Sequence, residues 1–147
     1  MVEYARSVLG ITNAEHEESS PEAPELLISN LACSLVGKTE DIDNAKGSLA
    51  EKAYKKPQAA EQFRCSFGLN PSYRAAFDAS SLKAAGTVPK GEMRIAELTT
   101  HPFFMSNLFL PQLSSSPETP HPIIVAFLKA AQTFHEAKFE TEKQEAV

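Results

Sequence analysis

Two cysteines, Cys33 and Cys65, in 147 residues are too few for a disulfide framework and read as reduced thiols. No apolar run reaches the length of a membrane span, and the first residues lack the basic-then-apolar layout of a secretory leader. A cytoplasmic protein is the expectation. Basic residues are outnumbered, 14 Lys and Arg against 19 Asp and Glu, giving a formal net charge of -5 and a pI near 5.4. Without a basic stripe to neutralise phosphates, general binding to nucleic acid or to a membrane surface is argued against. Gly37-Lys38-Thr39 has the tail of a P-loop but not the upstream glycine. Glu15-His16-Glu17-Glu18 has metal-friendly letters but no second cluster at a fixed spacing, so it reads as a solvated acidic loop. No metal and no cofactor is expected, and no internal repeat is visible.

Hydrophobic residues make up 42% of the chain, enough for one domain with a real core. Val2, Ala5, Val8 and Leu9 recur at helical spacing, with Gly10 as a stop. Residues 13 to 25 read as a solvated loop. Strands are expected at 26–29, 32–36, 63–67 and 104–110, the last an apolar run of the kind buried on both faces, with Leu110 inside it. Residues 48–56 suggest a short helix ended by Pro57. Pro71 opens a second helix that carries Tyr73, Ala76 and Phe77 inward. A hairpin is expected from 83–88 and 93–98 around Pro89-Lys90-Gly91. From Pro122, the residues Ile123, Ile124, Phe127, Leu128, Ala131, Phe134 and Lys138 trace one face of a long helix. His101 and His121 precede prolines, which favours extended or turn geometry, and His135 falls on a charged helix surface.

The order of these segments carries a resemblance. MVEYARSVLG, FRCSFGLNPSYRAAF, the Leu-x-x-x-Gly strand at Leu82 to Gly86, HPFFMSNLFLPQL and the His-Pro helix start at His121 are similar in order and spacing to the glutamine amidotransferase domain of the CTP synthase family. The resemblance implies an α/β fold of class-I glutamine amidotransferase type: a partial doubly wound, flavodoxin-like sheet flanked by helices, with the N-terminal part of the domain missing. Residues 1–138 would be the C-terminal portion of that domain and 139–147 a polar tail. Met1 would then be an internal position of a longer pattern, and Val2, Ala5, Val8 and Leu9 would leave an apolar patch exposed.

In that family a Cys thiolate on a strand-to-helix elbow attacks glutamine, activated by a His that a carboxylate orients. The resemblance places the elbow before Met1, the catalytic His on Leu110 and the catalytic Glu on Gln112. Leu110 has no proton acceptor, and Gln112 stays neutral. The family's Arg-Tyr-Glu-Val-Asn segment lies on Ser66 to Asn70, so the Arg that can pair with the substrate α-carboxylate is Ser66 here. Arg64, Ser66, Phe67 and Asn70 are candidate remnants of a substrate pocket. Arg64 and Asn70 read equally as an exposed strand Arg and a turn Asn before Pro71. Cys33 and Cys65 read as ordinary small buried or half-buried side chains. The family label implies pyrimidine nucleotide metabolism and glutamine, or another small metabolite, as ligand. In complete enzymes a separate synthetase domain uses the ammonia with ATP and Mg to convert UTP to CTP, and nothing here resembles it. The expectation is a domain portion without glutaminase activity. The alternatives are a pseudo-enzyme that binds a metabolite or a protein partner, and a truncated form of a stand-alone amidotransferase.

Overall fold

The computed structural model describes residues 1–145, with side chains over 1–138. It divides into two units, Met1–Leu110 and Pro111–Val147. The first contains α1 (Val2–Ser7), β1 (Ala14–His16), β2 (Glu25–Asn30), β3 (Thr39–Asn44), α2 (Leu49–Tyr54), β4 (Gln58–Gln62) and β5 (Phe67–Leu69). These are followed by a 3-10 turn at Pro71–Tyr73, α3 (Arg74–Asp78), β6 (Leu82–Thr87), β7 (Met93–Leu98) and β8 (Met105–Asn107). A three-stranded sheet runs β1-β2-β5, and a five-stranded sheet runs β4-β3-β6-β7-β8. The β1–β2 pair is parallel, and the other strand pairs described are antiparallel. This is a mixed α/β unit with helices flanking the sheets.

α1 stops where expected. Left-handed Gly10, at φ 73°, lets the Ile11 N–H donate back to the Ala5 carbonyl at 3.0 Å. Ala5 is fully buried with Ala14, Leu27, Phe77, Leu82, Met93 and Ala96, and Val2, Tyr4 and Leu9 pack against this cluster. The exposed patch expected on α1 is therefore reduced to Val8, whose side chain turns outward. α2 begins at Ser48, whose Oγ accepts the Glu51 N–H at 3.0 Å.

Several elements differ from the sequence expectation. Residues 32–36 form bends, while the polar run Thr39–Asn44 forms β3 with Ile42 fully buried. The loop expected at 13–25 contains β1, held parallel to β2. The strand expected at 63–67 is split: pairing ends at Gln62 and resumes at Phe67. Ala76 lies outward on α3, and Phe77 alone of that helix is buried. The run 104–110 pairs only over Met105–Asn107, so Phe104 and Leu110 are 44% and 41% exposed while Phe109 is buried. Three residues of pairing cannot enclose seven, and the chain bends out of the sheet after Asn107.

The second unit holds a 3-10 turn at Pro111–Leu113, a Ser/Pro loop and α4 (Pro122–Glu145). His121 caps α4: its Nδ1 accepts the Ile123 N–H at 3.2 Å and its carbonyl accepts the Val125 N–H. Along the expected apolar face Ile123 is buried, but Phe127, Leu128 and Phe134 are each more than half exposed, and Ala131 and Lys138 are exposed too. The backbone of the expected tail continues α4 as far as Glu145. The side chains of 139–147, and residues 146 and 147 altogether, lie outside the described residues.

Two measurements check this packing. A Cβ added at Gly86 would lie 2.8 Å from Ile42 Cγ2 and 2.9 Å from Ile95 Cγ1. Gly86→Ala should therefore destabilise the protein by about 1 to 3 kcal/mol in urea unfolding, the usual range for an overpacked core; an unchanged midpoint would contradict the close approach. Leu110→Ala should cost no more than about 0.5 kcal/mol, as at most surface positions, and a loss above about 2 kcal/mol would mark a buried side chain instead.

Candidate functional site

The residues singled out by sequence gather along the run from Phe63 to Asn70. A second run, Leu31 to Lys38, lies beside it without forming a regular strand. The N–H groups of Leu31, Leu35 and Gly37 donate to the carbonyls of Ser66, Cys65 and Phe63 at 2.8, 3.1 and 3.0 Å. Ser66 and Ser34 share a hydroxyl hydrogen bond of 2.8 Å. Gly68 permits this approach, because a Cβ there would meet Leu31 Cδ2 at 2.7 Å.

Each candidate then takes a definite role. Asn70 is a turn residue: its Oδ1 accepts the Ser72 N–H and its Nδ2 donates to the Leu26 carbonyl, both at 3.0 Å. Phe67 stacks at a tilt on His16, 5.1 Å between centroids. Arg64 is exposed and makes no ion pair among the described residues. Ser66 is half-buried and holds Ser34. Leu110 ends the first unit and Gln112 lies exposed in the 3-10 turn of the second.

The run that ends in Leu110 does lie against the candidate segment. Cys65 Sγ donates to the carbonyls of Phe67 and Leu108 at 3.5 and 3.6 Å, and the Phe63 and Phe109 rings meet edge to face at 5.9 Å. Burial pushes the Cys65 thiol above its ordinary pKa, outweighing opposite pulls from the Phe67 backbone and the Arg94 charge. The thiol is thus held protonated, with its proton shared between carbonyls. Cys33 is exposed.

The residue that sequence reading passed over is Arg94. It sits in β7 with its side chain 2% exposed, where the alternation Met93, Arg94, Ile95, Ala96 gives no outward position. Its Nε donates to Glu40 Oε2 at 3.0 Å, its Nη2 to Glu92 Oε2 at 2.6 Å, and its Cζ lies 5.7 Å above the Phe63 ring. Nη1 is buried with no acceptor among the described residues. An arginine inside an apolar strand was the available signal, since such a side chain is rarely buried unpaired.

In the acidic loop, Glu15 pairs with Arg6, Glu17 accepts the Asn30 N–H, and His16 Nδ1 accepts the Glu18 N–H. Among the described residues no three His, Cys, Asp or Glu side chains converge as a metal site would require. No described helix is long and apolar enough to cross a membrane.

Comparison with known proteins places this geometry. No family model matches the chain. It is similar to the CTP synthase of Pelotomaculum thermopropionicum, 34% identical over 149 residues that cover 95% of this chain and 28% of that protein. It is similar also to the CTP synthase of Acidobacterium capsulatum, 33% identical over 145 residues, covering 91% of this chain and 26% of that protein. Among solved structures, the glutaminase domain of Trypanosoma brucei CTPS with bound acivicin superposes with a TM-score of 0.83 at 24% identity, over 90% of this chain and 55% of that one. The chain therefore spans between a quarter and a third of the length of these curated relatives.

The state of Cys65 can be tested by alkylation. In a Cys33→Ser background, the iodoacetamide rate at Cys65 should rise only above the pH of an ordinary thiol, about 8.5, because the thiolate is the reactive form. A rate that has already levelled off by about pH 7.5 would show a thiol with a depressed pKa instead.

Proposed function

Because the chain belongs to the CTP synthase-type family of glutamine amidotransferase domains, and matches its C-terminal glutaminase region, we propose that it keeps the fold without the reaction. On this reading the chain does not release ammonia from glutamine. The observation that carries it is at the position of the family's catalytic His: Leu110 is exposed and has no nitrogen to accept a proton.

The surrounding chemistry agrees. A glutaminase needs a thiolate within reach of an imidazole that a carboxylate orients. Cys65 bonds to two backbone carbonyls rather than to an imidazole, and burial holds it as a thiol. Nδ1 of His16, His101 and His121 each accepts a backbone N–H. Gln112, at the position of the family's carboxylate, carries no charge with which to stabilise an imidazolium. The pocket side is weakened as well, because Ser66 occupies the place of an Arg and its hydroxyl is engaged by Ser34. By family we assign the chain to pyrimidine nucleotide metabolism as a non-hydrolysing amidotransferase-like domain.

Purified protein incubated with glutamine should give glutamate and ammonia no faster than buffer. The double variant Leu110→His, Gln112→Glu should remain inactive, since it restores a base and a carboxylate but no activated thiol. Turnover by the unmodified chain that disappears in Cys65→Ser would overturn this reading and identify Cys65 as a nucleophile.

A further inference from the structure

A cleft of about 340 Å³ in the first unit lies between the turn at Leu35–Lys38 and the hairpin turn at Val88–Glu92. None of the residues aligned with the family's substrate segment or triad lines it. Its walls include the buried apolar side chains Leu35 and Val88, and its charged residues are Lys38, Lys90, Arg94, Glu40 and Glu92. We propose that this cleft binds a small organic oxyanion, a carboxylate or phosphate on a short apolar stem.

Charge selects the sign of the ligand. Three cations against two carboxylates leave the cleft one positive charge in excess, in a chain whose formal net charge is -5. Both carboxylates are engaged by Arg94, whereas Lys38 and Lys90 make no ion pair among the described residues. Two ammonium groups are therefore available to a ligand, each able to make a charge-assisted hydrogen bond. Arg94 also lines the cleft, with its charge shared between Glu40 and Glu92 and its Nη1 buried without an acceptor among the described residues.

The two lysines are held there by the backbone. Lys38 follows Gly37, at φ 74°, and Lys90 precedes Gly91, at φ 86°, left-handed conformations that glycine adopts without strain. The Lys38 N–H donates to the Leu35 carbonyl at 2.9 Å and the Gly91 N–H to the Val88 carbonyl at 2.7 Å, closing both turns. Arg74 Nη1 further pins the Gly91 carbonyl at 2.6 Å. Each turn thus contributes a cation and an apolar residue, Leu35 or Val88, to the lining of the cleft. The volume is at the lower end of small-molecule sites, which suits a compact ligand.

The site does not depend on the absence of glutamine turnover. The test is titration of the 15N-labelled chain with sodium butyrate and, separately, with inorganic phosphate, at constant ionic strength set by sodium chloride. Saturable amide shifts confined to residues 31–40 and 86–94 are expected with at least one of the two anions, and the anion that binds more tightly identifies the head group. Lys38→Met with Lys90→Met removes both charges while keeping the apolar stems and should weaken binding by about 10-fold or more. Its thermal transition should match that of the unmodified protein, because both lysines are exposed. Shifts that never saturate with either anion, or equal affinity in the double variant, would overturn the assignment.

Discussion

The placement of the five-stranded sheet depends on one buried charge. Arg94 projects from β7 into a low-dielectric interior, where an unpaired guanidinium would cost several kcal/mol. It is tolerated because Glu40 on β3 and Glu92 before β7 each supply a carboxylate oxygen, and the Phe63 ring covers one face. These contacts fix more than a charge. β3 is separated from β7 in the sheet by β6, so the Glu40 bond spans a strand and constrains the register on both sides. The Arg94 carbonyl also accepts the Leu108 N–H at 3.0 Å, which anchors the chain just beyond β8. Removing a buried partner of this kind typically costs about 3 to 5 kcal/mol, far more than a surface pair contributes.

That dependence explains what was legible in the sequence. Elements specified by their own residues could be read: the Gly10 stop of α1, the short helix within 48–56, the hairpin around Pro89-Lys90-Gly91 and the helix opening at Pro122. In each case the signal is local backbone chemistry. β3 was missed because five of its six residues, Thr39, Glu40, Asp41, Asp43 and Asn44, are polar and its only apolar residue is Ile42. It is a strand because Glu40 meets Arg94, Asp43 accepts from Gln58 Nε2 at 3.0 Å, and Ile42 fills the core. None of these partners is near in sequence. Conversely, Ala32 to Val36 has strand-forming letters, but Gly37 turns the chain and only isolated bonds to Phe63, Cys65 and Ser66 form. The apolar period of α4 was read correctly as helical, and Phe127, Leu128 and Phe134 on that face are exposed, since periodicity shows which residues share a face and not what covers it.

The candidate site was legible to a similar degree. The segment Phe63 to Asn70 lies against the run ending at Leu110. The roles within it were less accessible, because a side chain such as Asn70 becomes a cap or a ligand only through its spatial neighbours. Asn70 has its amide oxygen and its amide nitrogen each bonded to backbone. Ser66 illustrates the same point: its hydroxyl is satisfied by Ser34, thirty-two residues away.

On the proposed reading, fold and reaction separate because different residues specify them. Phe63, Phe77 and Phe109 are fully or almost fully buried, and Gly68 and Gly86 admit neighbouring side chains where a Cβ would clash. A change at any of these would disturb the packing. Leu110 is different. It follows Phe109 directly, yet Phe109 turns inward against Phe63 while Leu110 turns out to 41% exposure. An outward position of this kind can change its side chain at little cost to stability, although a hydrolase cannot lose its base and keep its rate. Selection on folding alone would preserve these buried residues while leaving an outward position such as Leu110 free to change.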